Sequence, residues 1–169
     1  MRVSENDKDV ICHEWGHYLV AYLLGKENHV ERLEFHTTNN ETIIWGHNVY
    51  KPIVMKESQN GFIPDNLTDK ENLLILYGGC VACNVTDMNG KRIAGTDKEK
   101  VWNLTKTSQQ RSEAESRVIE MLTPYKDTLR KLTEMTYKFC KNCEDDLVII
   151  SWYEIQLFLK EVNLKCFEV

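Results

Sequence analysis

Apolar positions recur at helical spacing near the start of the chain. Val10, Ile11, Tyr18, Leu19, Tyr22, Leu23 and Leu24 form a broad apolar surface and predict one helix. Ser4 followed by Asp7 has the spacing of a capping box, and Gly25 marks the stop. Beyond it the period changes. From His29 to His36, Leu33 and Phe35 alternate with charged residues, the pattern of a half-buried strand. Thr37 to Glu41 reads as a turn and Thr42 to Tyr50 as a second strand, so a hairpin or small sheet follows the helix. Gly46 within that strand predicts a bulge or the close approach of another backbone.

Lys51 to Thr68 has no sustained period. Pro52, Gly61 and Pro64 interrupt it, and Ser58-Gln59-Asn60-Gly61 reads as a turn, so residues 51–68 are expected to be a long loop of the kind that serves as a lid or binding loop. Asp69 to Asp87 returns to helical spacing through Leu73, Leu74, Leu76, Tyr77, Cys80, Val81 and Val85. Gly78-Gly79 in its middle costs about 1 kcal/mol per glycine, a cost that close packing of another helix would explain. Thr96 to Glu99 has capping-box spacing and starts a third helix with a break near Thr107-Ser108. Pro124 opens another, running to about Cys140. Leu147 to Ile150 is a short apolar run, and Ser151-Trp152-Tyr153-Glu154 caps a last helix ending near Val162. The architecture predicted is mainly α with a small β-sheet, in one domain over residues 1–169.

Composition narrows the partners. The net charge is −5, which gives no electrostatic case for nucleic acid or an anionic membrane. No apolar run approaches the roughly 20 residues of a membrane span, and the first residues carry no apolar signal region, so the expectation is a soluble, cytoplasmic protein. In that compartment the six cysteines are expected as thiols. Cys80/Cys83 and Cys140/Cys143 have C-x-x-C spacing and together could supply a Cys₄ zinc site, although the first pair falls in a helical pattern, where small buried side chains are the plainer reading.

The chemistry lies on the first helix, in His13-Glu14-x-x-His17. Two imidazoles four residues apart stand one above the other on a helix face and can hold one zinc ion. Glu14 would stand over the open side, where a zinc-acidified water would sit and could lose its proton. A catalytic zinc takes a third protein ligand. His29, His36, His47 and the carboxylates are the candidates. No thermolysin-like second helix follows with a glutamate, and the HExxHxxGxxH extension is absent. Asp97 stands out because it opens a helix just after a glycine, but a first-turn carboxylate is also an ordinary helix-dipole partner.

Several segments, in order, resemble the peptidase domain of the FtsH family of membrane-bound, ATP-dependent zinc proteases. Val10 to Ala21 is similar to that family's metal helix, Leu76-Tyr77-Gly78-Gly79-Cys80-Val81-Ala82 to its glycine-pair helix, and Gly95-Thr96-Asp97-Lys98-Glu99 to the segment whose aspartate is the third zinc ligand. Leu122 to Leu132 and Ile150 to Ile155 look like its closing helices. The resemblance implies that His13, His17 and Asp97 hold zinc and that Glu14 is the general base. It also implies that the strand from Ile44 to Val49 borders the cleft. The departures are as specific. The ATPase module and membrane segments are missing, and no G-x-x-x-x-G-K-[ST] phosphate loop occurs. Trp15 replaces a small residue. Cys80 and Cys83 replace an arginine and a glutamate, so hexamer formation is not implied and the oligomeric state stays open.

The expectation is a stand-alone zinc metalloendopeptidase acting on unfolded or flexible polypeptide, with a separate ATPase or adaptor as a candidate partner. Two rivals remain. One is a catalytically silent zinc-binding module of the same fold, favoured by the missing motor and bulky Trp15. The other is a repressor-cleaving metallopeptidase of phage type, whose zinc would be held by a glutamate soon after the first helix.

Overall fold

The computed structural model describes residues 5–27, 30–38, 42–50, 55–58, 61–64, 67–88, 95–143 and 145–164. Six α-helices and a three-stranded antiparallel sheet make up most of it, so the chain is mainly helical with a small sheet. The first helix, α1 (Glu5–Leu23), is the core element. Ile11, Cys12, Trp15, Tyr18, Leu19 and Val20 are fully buried, because α1 is covered on more than one side. Gly25 adopts φ +70°, and Lys26 N–H reaches Ala21 O (2.8 Å) while Gly25 N–H reaches Tyr22 O (2.9 Å). That paired closure is the Schellman arrangement, and it ends the helix where the glycine predicted. Ser4, the expected cap at the other end, lies outside the described residues. Asp7 Oδ1 accepts instead from the backbone N–H of Ile43 (3.0 Å), tying α1 to the sheet.

Strands β1 (Val30–Thr38) and β2 (Thr42–Tyr50) form the predicted hairpin, with β1 extending two residues past His36. Residues 39–41 of the expected turn, and His29, lie outside the described residues. The sheet order is β2-β1-β5, with β5 (Leu147–Ser151) antiparallel to β1, so the apolar run at Leu147–Ile150 is a strand. Leu33, Phe35, Val148 and Ile150 point into the core. Residues alternating with them point out, as strand geometry requires. The expectation of a long loop over 51–68 needs correction. Met55–Ser58 (β3) and Gly61–Pro64 (β4) pair as a small antiparallel hairpin, with Ser58 opposite Gly61 at its corner. Four-residue strands are too short for alternation to register, and the flanking Pro and Gly residues, read as breakers, bound them instead.

Helix α2 (Asp69–Val85) begins on a Thr68–Glu71 capping box. It crosses α1 at closest approach through glycines on both sides. A Cβ on Gly16 would lie 2.3 Å from Gly78 O, and one on Gly78 would lie 2.5 Å from Gly16 O. The two backbones touch, which accounts for the glycine pair in mid-helix. The variant Gly16→Ala is expected to lose stability at the upper end of the about 1–3 kcal/mol typical of overpacking, read as a lowered urea midpoint at unchanged m-value.

Helix α3 (Gly95–Leu104) starts one residue before Thr96, which therefore sits in the first turn instead of capping it. The break falls at Thr105–Thr107, and α4 (Ser108–Leu122) opens on a Thr107–Gln110 capping box. Pro124 belongs to a 3₁₀ turn, Thr123–Tyr125, that leads into α5 (Lys126–Lys141). Ser151 caps α6 (Trp152–Glu161) through Glu154, as the spacing predicted. The five described cysteines are free thiols. Among the described residues, Cys80, Cys83, Cys140 and Cys143 belong to no metal-capable cluster. Cys83 Sγ faces the Asp9 carbonyl on α1 (3.4 Å), Cys80 and Cys140 are buried, and Cys143 closes onto its own helix at Phe139 O. No helix among the described residues is long and apolar enough to cross a membrane.

Candidate metal centre

His13 and His17 stand one turn apart on α1, their rings nearly perpendicular with centroids 4.6 Å apart. Their Nε2 atoms approach to 2.9 Å. Asp97, from the first turn of α3, brings Oδ2 to 3.1 Å from His13 Nε2 and 3.2 Å from His17 Nε2. Three potential ligand atoms from two elements 80 residues apart in sequence thus meet in one small triangle. Ligands about 2.0–2.1 Å from a tetrahedral zinc stand about 3.3 Å from one another. The 2.9, 3.1 and 3.2 Å sides match one face of that tetrahedron to within a few tenths of an ångström.

The surroundings fix which atoms face inward. His17 Nδ1 lies 2.6 Å from Ile75 O, and a carbonyl only accepts, so Nδ1 carries the hydrogen and Nε2 presents its lone pair to the centre. The His13 ring lies where a Cβ on Gly79 would be, 2.4–2.6 Å from three ring atoms. Gly79 therefore makes the seat for His13, just as Gly78 makes the helix crossing. With the hydrogen of neutral His17 on Nδ1, His17 Nε2 and the ionised Asp97 both face the centre as acceptors, so a hydrogen on His13 Nε2, an added proton on His17 or a metal ion can fill it.

Without metal it holds a proton. Burial alone would depress the His17 imidazolium, but the hydrogen bond to Asp97 and the charges of Glu14 and Asp97 outweigh it and raise its pKa to about 9. Burial pushes Asp97 the other way, yet hydrogen bonds from His13 and His17 hold its carboxyl well below the usual carboxylate range. A metal must displace the His17 proton. The raised pKa stabilises the metal-free fold fully below the unfolded value of 6.5, and that contribution is lost as pH rises towards about 9. Metal affinity rises over the same window by about tenfold per pH unit for the one proton released. The gap in Tm between zinc-loaded and metal-free protein should therefore widen from pH 6.5 to 9. A constant gap in differential scanning calorimetry would remove His17 from the metal set.

Glu14 is buried beside His13, at 5% exposure. Asn48 on β2 holds it: Nδ2 donates to Glu14 Oε2 (2.9 Å) and to the Glu14 carbonyl (3.1 Å). Gly46, two residues earlier on the same face, leaves space for it, since a Cβ there would lie 2.8 Å from Glu14 Cγ and 2.9 Å from Phe35 Cδ1. The approach at Gly46 comes from the side chains of Glu14 and Phe35 and not from another backbone, and the register shifts between β1 and β2 fall elsewhere, which corrects that expectation. Asn48 was not singled out in the sequence. Its signal was an amide in mid-strand, where asparagine is disfavoured. Trp15 faces away from the centre. It packs against Tyr18 and Phe158 and donates Nε1–H to Thr136 Oγ1 (2.8 Å). Its bulk fills the space between α1 and the C-terminal helices. His36 and His47 do not join the triangle. They point outward, on the other face of the sheet from Gly46 and Asn48.

Neither a protein-family model nor a curated protein sequence matches the chain.

Proposed function

We propose that this protein is a zinc-dependent metalloendopeptidase of FtsH type, cleaving unfolded or flexible polypeptide. The observation that carries the reading is the meeting of His13 Nε2, His17 Nε2 and Asp97 Oδ2 in one triangle, with Glu14 beside it. Zinc bound there supplies a Lewis acid that polarises a carbonyl and acidifies a water. The remaining work belongs to the chain. Asn48 steadies Glu14 through Oε2, and the carboxylate takes a proton from the attacking water and returns it to the leaving nitrogen. The hydrogen bond to Ile75 O keeps the hydrogen of neutral His17 on Nδ1, which leaves Nε2 to the metal once its extra proton is displaced. Among the described residues β2 is an edge of its sheet, and it passes beside Glu14, so an extended substrate can add to that edge by main-chain hydrogen bonds. These 169 residues carry no phosphate loop, so this domain itself takes polypeptide that is already extended.

The third converging group is Asp97 and not a glutamate soon after α1, which supports this reading over the repressor-cleaving type. Trp15 offers no support to a silent module, since its side chain fills the core away from the triangle. The test is elemental analysis followed by a casein assay. One zinc per chain and chelator-sensitive cleavage of casein, with a stably folded protein left intact, is the expected result. Zinc without turnover of any unfolded substrate would replace the peptidase with a zinc-binding module.

A further inference from the structure

We propose that Glu34, His36 and His47 form a second divalent-metal site, on the outward face of the sheet. The three residues come from two strands. Glu34 and His47 are direct cross-strand partners, and His36 lies two residues along β1 on the same face. One ligand atom from each lies within 4.8 Å of the others. Both imidazoles turn Nε2 to the same oxygen: His47 Nε2 is 3.1 Å from Glu34 Oε2 and His36 Nε2 is 3.8 Å from it. The rings lie nearly parallel, 18° apart, with centroids at 5.8 Å. The first distance already suits two ligands of one zinc, and the second needs His36 to close by about half an ångström.

The carboxylate is prepared for this role. Glu34 is 8% exposed although it lies on the outward face, and Arg32 Nε donates to its Oε1 (2.6 Å). That contact turns Oε2 to the histidines and fixes it there, as an outer hydrogen bond does for a metal-ligating carboxylate. The side chains of His36 and His47 are 29% and 40% exposed, so solvent reaches the edge of the site, while His36 Nε2 itself is buried. Two imidazoles and one carboxylate are a borderline set that suits Zn²⁺, Cu²⁺ or Ni²⁺ better than Ca²⁺ or Mg²⁺. The guanidinium of Arg32 beside the ion makes this site weaker than the triangle on α1. An ion held here staples β1 to β2, and β2 carries Gly46 and Asn48 against Glu14 on its other side.

The test is calorimetric titration of the metal-free full chain with Zn²⁺. Two binding events are expected in the wild type. His47→Gln should lose only the weaker, and Asp97→Ala only the tighter. A single event in the wild type that His47→Gln leaves unchanged overturns the proposal. Loss of the tighter event alone bears on the α1 triangle and leaves this site standing, so the two readings fail separately. Wild-type protein gives a second readout, free of any folding defect. Zn²⁺ at tenfold excess over the weaker dissociation constant should slow diethyl pyrocarbonate modification of His36 and His47 about tenfold, as occupancy dictates. Unchanged modification rates at both histidines also overturn it.

Discussion

Glu14→Gln should retain zinc and lower cleavage of an unfolded polypeptide by about 10²–10⁴-fold, the range typical of a positioned general base. The amide is isosteric with the carboxylate and can still meet Asn48, whose Nδ2 now approaches Glu14 Oε2 and the Glu14 carbonyl. Neither His13 nor His17 uses Glu14 as a hydrogen-bond partner in the triangle, so the metal set is untouched. The loss should fall on kcat, with KM near its original value, because the glutamate moves a proton and does not hold substrate. Full activity in the variant, at unchanged zinc content, would take Glu14 out of the reaction.

Asp97→Ala should have the other large effect. Losing a partner behind a ligand typically costs about 10–100-fold in metal affinity, and Asp97 stands at ligand distance itself, so its removal is expected to cost more. Only two imidazoles from α1 then remain, and the charge that draws a cation to them is gone. Competition with a chromogenic chelator measures the affinity, and far-UV circular dichroism reports separately that α3 survives. Zinc held as tightly as before would mean that the aspartate merely salt-bridges His17.

How far the sequence could be read depended on whether a signal was local. The apolar period of α1 and its glycine stop are written within one helix, and both appear as expected. So is the capping pair Ser151 and Glu154, three residues apart. The Gly78-Gly79 pair was legible as a demand for close packing, although the partner, Gly16, could not be named from a one-residue gap in a helix. The hairpin β3–β4 and the pairing of β5 with β1 were missed for the opposite reason. Their hydrogen bonds are set by neighbours, and β5 finds β1 more than a hundred residues away. Asp97 shows both sides. Spacing alone made it one candidate among several, and only the fold brings it to 3.1 Å from His13. Asn48 acts across 34 residues of sequence and left no motif at all.

The glycine crossing of α1 and α2 has one more consequence. Main chain rests on main chain there, so no rotamer can give and the helices have one spacing available. That spacing sets Ile75 O against His17 and the Gly79 hollow against His13 before any ion arrives. The socket is thus assembled by the fold, and an ion entering it would have nothing left to organise. The grip would keep its shape with or without a metal.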